Sequence, residues 1–326
     1  MSSQESVRAD RWESFPAAVF EPLAALADCT CCPRECHADR ISGTLGYCNS
    51  GDGFYISSIC AHRGEEPVIS GRHGICNVFF ARCNMSCAYC QNWQISRSRG
   101  NVLADQFSLE TVCQQIESVL DAGSRLVGFV SPSHYVPQVR VIMRALEFRG
   151  RKPVHVYNTN SYDKVETIKS FDGQVDVWLP DLKYLDESLG RQFSDTPNYP
   201  DVATAAIREM FFQRGATIRL DAEGNIESGL IIRHLVLPGK VENSKQVLRW
   251  IAENLSVNVH ISLMSQYHPN DRVRNHPVLG RNLLAEEYAE VLDEFHALGF
   301  HNGWVQEMES HAHYRPDFTN THPFEY

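Results

Sequence analysis

From Ile75 onward, short apolar runs alternate with longer stretches in which apolar residues recur at helical spacing. The runs Ile75–Phe80, Leu126–Val130, Val154–Tyr157, Val175–Leu179, Ile231–Val236 and Val259–Met264 are rich in β-branched or aromatic residues. Polar or turn residues bound each of them, which is the pattern of buried strands. The periodicity predicts helices near Ser108–Ala122, Val136–Phe148, Tyr162–Ser170, Asp201–Arg214, Ser244–Glu253 and Ala285–Leu298. Ser108, followed three residues later by Thr111, is placed to cap the first of these. The stretch Ala216–Gly229 interrupts the alternation. Its Asp221-Ala222-Glu223-Gly224-Asn225 reads as a turn between two short antiparallel strands.

Strands alternating with helices predict an α/β fold with a parallel sheet, because parallel neighbours need long crossovers and crossovers are right-handed. Periodicity does not separate a doubly wound sheet from a full or partial barrel. In either architecture ligands gather at the C-terminal ends of the strands.

Composition narrows the class. The chain has 326 residues, 43% of them hydrophobic, which suits one large α/β domain with a smaller appended module. A formal net charge of -10, with no run of Lys or Arg, disfavours nucleic acid as a partner. Met1–Phe20 is polar and charged and lacks the apolar core of a signal peptide. No apolar stretch approaches the roughly 20 residues that span a bilayer. The expectation is a cytoplasmic protein that makes no use of a membrane.

The 11 cysteines are unevenly placed. Cys29, Cys31, Cys32, Cys36 and Cys48 precede the first predicted strand by some distance, Cys83, Cys87 and Cys90 follow it closely, and Cys60, Cys76 and Cys113 stand alone. In a reducing compartment, clustered cysteines are more often metal ligands than disulfides. The isolated three are expected to be buried thiols, Cys113 within an apolar helix stripe.

The segment Phe79-Phe80-Ala81-Arg82-Cys83-Asn84-Met85-Ser86-Cys87-Ala88-Tyr89-Cys90-Gln91-Asn92-Trp93 carries C-x3-C-x2-C directly after a predicted strand. A short loop of this spacing turns three thiolates toward one face of a [4Fe-4S] cubane and leaves the fourth iron open, whereas electron-transfer clusters normally have every iron protein-ligated. Zinc would usually show paired C-x2-C groups and a closed set of four ligands.

C-x3-C-x-aromatic-C after the first strand resembles the signature of the radical S-adenosylmethionine (SAM) superfamily. Within it the chain is most similar to uncharacterised relatives of pyruvate formate-lyase activating enzyme. Further stretches carry the likeness: His62-Arg63-Gly64-Glu65-Glu66-Pro67, Val130-Ser131-Pro132-Ser133-His134-Tyr135, Tyr157-Asn158-Thr159-Asn160, Pro180-Asp181-Leu182-Lys183-Tyr184, Arg233-His234-Leu235-Val236-Leu237-Pro238-Gly239 and Leu263-Met264-Ser265-Gln266-Tyr267-His268-Pro269.

The resemblance implies a partial (β/α)6 TIM-type barrel with an N-terminal cysteine-rich metal-binding extension. It divides the chain into an extension at 1–74, a barrel core at 75–270 and a C-terminal helix and tail at 271–326. It implies that the open iron chelates SAM and that one electron cleaves SAM to a 5′-deoxyadenosyl radical, which abstracts hydrogen. Tyr89 takes the aromatic position against the adenine. Asn158, Thr159, Asp181 and Lys183 fall near the methionine moiety of SAM, and Arg233 and His268 match positions that contact it. Where the superfamily often has Gly-Gly-Glu, this chain has Ser131-Pro132-Ser133-His134, so Ser131 and Ser133 become the hydrogen-bonding groups of that loop.

Cys29, Cys32, Cys36 and Cys48 are expected to form a second metal site, zinc or a further iron–sulfur cluster, with Cys31 spare or exchanging with Cys32 or Cys29. The activity implied is an activating-enzyme-like oxidoreductase, served by a one-electron reductant such as flavodoxin or ferredoxin. Its substrate is a protein, as in glycyl-radical enzyme activation, or a small molecule. The competing class is a non-catalytic iron–sulfur or zinc protein in electron transfer or metal-dependent assembly. A radical SAM enzyme that modifies RNA is the weaker option, since no RNA-binding module is recognisable.

Overall fold

The computed structural model describes residues 15–308, 315–320 and 322–324. Residues 1–14 of the stretch read as free of a signal core, and 309–314, 321, 325 and 326 of the C-terminal segment, lie outside the described residues.

Among the described residues, ten strands form one mostly parallel sheet: β1 (Phe54–His62), β2 (Ile75–Phe80), β3 (Asp105–Phe107), β4 (Leu126–Val130), β5 (Val154–Thr159), β6 (Val177–Pro180), β7 (Arg219–Leu220), β8 (Ile226–Leu235), β9 (His260–Met264) and β10 (Gly303–Val305). The order β2-β4-β5-β6-β8-β9-β10 follows the chain without reversal, and each neighbouring pair in it is parallel. A doubly wound sheet would reverse direction at a switch point. Right-handed crossovers that always step the same way put the crossover helices on one face, so the sheet curls as a barrel does. It stays open, because β3 and β10 at its two ends do not pair.

All six predicted strands are present in the predicted order. Alternation along them assigns two environments. Val127, Phe129, Tyr157, Trp178, Leu230, Ile232, Ile261 and Leu263 join one core with Val112, Ile116, Val139, Ile142, Ile207, Val247 and Val291 of the helices. Ile75, Leu126, Val156, Val177, Leu179 and Ile231, of the other parity, form a second cluster on the opposite face. This plug fills the barrel's interior, and residues of the same parity further along each strand rise above it. Burying an aliphatic side chain of this kind stabilises by about 1.5–3 kcal/mol, so the plug is a firm floor.

The structure revises several sequence expectations. The parallel run carries a seventh strand, β10, too short to show a period. Gly303 makes it feasible: its φ is +111°, and a Cβ there would lie 2.0 Å from the Ile261 carbonyl oxygen. β1 was not anticipated; it pairs antiparallel with both β2 and β3 at the edge. The hairpin at 216–229 exists, but its second strand is the start of β8, which continues into the barrel. The helix expected over Tyr162–Ser170 is confined to Val165–Lys169. Side chains take the backbone N–H groups ahead of it: Ser161 N–H donates to Thr159 Oγ1 (3.0 Å) and Tyr162 N–H to Asn160 Oδ1 (2.9 Å). Such local bonds compete with helix formation. Ser108 caps Leu109–Asp121 as expected, its hydroxyl accepting from Thr111 N–H. Cys60, Cys76 and Cys113 are buried.

Among the described residues, no helix is long and apolar enough to cross a membrane.

Candidate functional site

At the C-terminal ends of the barrel strands, above the apolar plug, lies a cavity of about 190 Å³. Val130, Asn158, Asp181, Arg233, Leu235 and Met264 line it, each on the interior parity of its strand or one step beyond its end. Cys83, Cys87, Tyr89 and Cys90 close one side from the loop after β2. A larger hollow of about 540 Å³ opens at the opposite ends of the strands. It contains no cysteine, and Arg125 there is held by Asp221 at 2.5 Å, so it does not compete as a redox site.

The triplet loop is held by the helix Glu187–Ser194. Ser86 N–H donates to Ser194 O (3.0 Å) and Ala88 N–H to Phe193 O (2.7 Å), using carbonyls that a helix end leaves unpaired. Asn84, fully buried, donates to Tyr162 O (2.7 Å) and accepts from Asn160 Nδ2 (2.9 Å).

Each of the three sulfurs receives a side-chain hydrogen bond of its own. Asn160 Nδ2 donates to Cys83 Sγ (3.5 Å), Ser194 Oγ to Cys87 Sγ (3.0 Å) and Ser96 Oγ to Cys90 Sγ (3.2 Å). Because the Ser194 proton is committed to sulfur, Ser194 Oγ accepts from Tyr184 (2.9 Å), and Tyr184 in turn accepts from Tyr89 (2.5 Å). A polarised chain of three hydroxyls thus ends on Cys87. Burial pushes the Cys83 and Cys90 thiols up, and neighbouring Cys87 adds to both. Thiolates here therefore call for a cation among them. The donor set and the hydrogen-bond donors aimed at it fit a soft metal centre.

Charged groups are paired across the rest of the cavity. Arg233 meets Glu65 at 3.1 Å and Glu66 at 3.2 Å, and Glu65 also accepts from Asn77 (2.9 Å). Burial opposes the Arg233 charge, but the two glutamates outweigh it and hold the guanidinium protonated. Burial would raise both carboxyls; Arg233 carries Glu65 below its usual range, while Glu66 stays above. Lys183 pairs with Asp181 at 2.6 Å and keeps its proton against burial for the same reason.

The structure gathers Cys83, Cys87, Cys90, Tyr89, Ser131, Asn158, Asp181, Lys183 and Arg233 around this one cavity. Ser133, Thr159 and His268 do not line it. Ser133 and Thr159 stand behind the wall, hydroxyls 3.3 Å apart, with Thr159 donating to buried Asp163. Asn160, Ser194 and Ser96 were not singled out by sequence reasoning. Asn160 at least stands in one of the stretches that carry the family likeness; the two serines give no signal in the sequence.

The five N-terminal cysteines face a second, much smaller cavity of about 10 Å³, together with Arg40 and His134. Arg34 joins this segment to the triplet loop, donating to Asn84 O (3.0 Å) and Asp195 O (2.5 Å) while its guanidinium covers the Tyr47 ring at 3.7 Å. His134 has no part in the barrel cavity. Its Nε2 lies 2.9 Å from Ala81 O, and burial lowers its pKa to about 3, so it is a neutral packing residue. As the side chains stand, no three His, Cys, Asp or Glu groups among the described residues clasp a single metal ion.

No protein-family model matches the chain. An uncharacterized protein of Methanocaldococcus jannaschii, MJ0674, is 27% identical over 270 residues, which is 82% of this chain and 73% of that protein. Solved structures with a similar fold include a domain of pyruvate-formate lyase-activating enzyme from Bacteroides vulgatus (TM-score 0.38, 16% identity, 53% of this chain and 93% of that one). Methylornithine synthase (TM-score 0.47, 15% identity, 71% and 63%) and TYW1 with a lysine-pyruvate adduct bound (TM-score 0.43, 13% identity, 73% and 78%) are two others. One of these structural neighbours is a domain of an activating enzyme of the type named from the sequence.

Proposed function

We propose that this chain is a radical SAM enzyme in which Cys83, Cys87 and Cys90 hold a [4Fe-4S] cluster. One observation carries the reading: three thiols in C-x3-C-x2-C spacing line one cavity at the C-terminal mouth of a barrel, each accepting a side-chain hydrogen bond. When bound, the cluster supplies the one-electron reductive cleavage of SAM that yields a hydrogen-abstracting 5′-deoxyadenosyl radical.

The chain's own residues bind, orient and shield. Lys183 and Asp181 offer a cation and an anion side by side for the zwitterionic end of SAM, and Asn158 adds an amide. Arg233, fixed by its two glutamates, keeps a charge in place without having to reorganise. Val130, Leu235 and Met264 give an apolar wall, and Pro316 and Phe324 of the C-terminal segment restrict water at the mouth. A flavodoxin- or ferredoxin-like reductant would deliver the electron. The finer reading is an activase that abstracts hydrogen from a glycine of a partner protein.

The test is anaerobic reconstitution, followed by iron and sulfide analysis and detection of 5′-deoxyadenosine after SAM and dithionite are added. The triple variant Cys83→Ala/Cys87→Ala/Cys90→Ala is expected to lose about four irons and all cleavage. A glycyl radical on a partner protein would support the activase; turnover of a metabolite without any partner would remove it. If the wild type held only zinc and never cleaved SAM, a non-catalytic metal protein would take the place of the enzyme.

A further inference from the structure

Arg40 is 1% exposed, yet among the described residues no carboxylate pairs with it. Its guanidinium donates to carbonyl oxygens, Gly51 O (3.1 and 2.6 Å) and His134 O (2.8 Å), lies over the Tyr135 ring at 5.6 Å, neutral groups all, and has Cys29 Sγ at 3.7 Å. A guanidinium cannot shed its proton to escape burial, and an unpaired buried charge is heavily penalised. Some negative charge must therefore face it. Glu35, the carboxylate among the residues lining the same cavity, is taken by Lys164 at 2.5 Å, which leaves the thiols of that cavity.

Neutral thiols or disulfides would leave the charge unanswered. Four thiolates around a divalent metal, or around an oxidised iron–sulfur cubane, carry a net charge of opposite sign. The loop is also shaped around its sulfurs. A Cβ on Gly46 would lie 2.8 Å from Cys36 Sγ, so only glycine lets the backbone come so close, and Tyr47 N–H donates to the same sulfur at 3.3 Å. Glu35, His37 and Asn49, each next to a cysteine, take left-handed φ values of 40°, 50° and 56°. Cys29 and Cys31 sulfurs are 3.8 Å apart, well beyond the roughly 2.05 Å of a disulfide.

We infer that Cys29, Cys32, Cys36 and Cys48 hold an anionic metal–thiolate centre and that Arg40 is its buried counter-ion. Binding of the metal displaces the thiol protons to solvent and tightens the sulfurs around one centre. Zinc and an iron–sulfur cluster share this chemistry. The inference is independent of the barrel site.

The experiment uses the full chain with Cys83, Cys87 and Cys90 replaced by Ala, purified anaerobically without chelator. Zinc, iron and sulfide per chain are measured, with circular dichroism to verify folding. One zinc per chain, or iron with matching sulfide, is expected to remain and to vanish when Cys32→Ser/Cys48→Ser is added. A folded triple variant without metal, its thiols free or joined in disulfides, would overturn the site. Should the triple variant not fold, the metal lost between wild type and Cys32→Ser/Cys48→Ser gives the same reading. Arg40→Gln is expected to weaken metal retention against a chelator by about 10–100-fold, and Arg40→Lys by less. Unchanged retention in Arg40→Gln would sink the counter-ion assignment while leaving the metal site standing.

Discussion

Ser194 donates its hydroxyl proton to the sulfur of Cys87 across 3.0 Å, although 107 residues separate the two in the chain. The helix that ends at Ser194 also holds the triplet loop through its last carbonyls, so one element sets both the position of the thiol and its polarity. Hydrogen bonds to cluster sulfurs favour the reduced, more negative state and are one of the protein's means of setting potential.

Ser194→Ala should therefore lower the reduction potential of the reconstituted cluster without removing iron. A bond worth about 1 kcal/mol more in the reduced state corresponds to roughly 40 mV for one electron. A redox titration followed by electron paramagnetic resonance reads this directly; an unchanged potential with full iron content would count against it. Ser96→Ala should act in the same direction through Cys90.

Arg233 stabilises two buried glutamates at once. Arg233→Met should cost about 3–5 kcal/mol, because it strands at least one carboxylate in the interior. Urea unfolding measures the loss, and Arg233→Met/Glu65→Gln/Glu66→Gln should recover much of it. A loss no smaller in the triple variant would mean that the pairing is not the cause.

Lys183 and Asp181 face the cavity as a pair. Substituting either, as in Lys183→Met or Asp181→Asn, should raise the SAM concentration needed for half-maximal 5′-deoxyadenosine formation. Loss of a charged hydrogen bond is worth about 1.5–3 kcal/mol, or roughly 10–150-fold. Unaltered SAM dependence would place the methionine moiety elsewhere.

His234 is buried between Leu182 O, 2.6 Å from Nδ1, and Ser244 Oγ, 2.9 Å from Nε2, and burial lowers its pKa from 6.5 to about 4. Above pH 6.5 the ring is neutral in both folded and unfolded chains and imposes no penalty. As pH falls, the unfolded chain takes up the proton first, so stability declines until the folded ring titrates near pH 4. The loss amounts to about 3 kcal/mol in order of magnitude. Unfolding curves at pH 7 and pH 4.5 should show a smaller acid loss for His234→Gln than for wild type; equal losses would exclude His234 as a contributor.

Much of the scaffold was legible because its strands are buried on both faces and read as continuous apolar runs. The short and edge elements were not. β10 has only Gly303–Val305 to show, and β1 alternates too weakly to be told from a loop. The helix before Lys169 was overestimated because Thr159 and Asn160 divert the backbone donors that would have extended it.

The sequence by itself determined the alternation of strands and helices, and the clustering of its thiols into two groups, since periodicity and spacing are local properties of the chain. Only the tertiary structure decided that the sheet winds one way and stays open, and which side chains meet the sulfurs. It also decided that Arg40 faces the N-terminal thiols and that, among the described residues, no carboxylate pairs with it. Donors such as Asn160 and Ser194 leave no trace in periodicity, because a hydrogen bond is fixed by distances between atoms, and those distances exist only after the chain has folded.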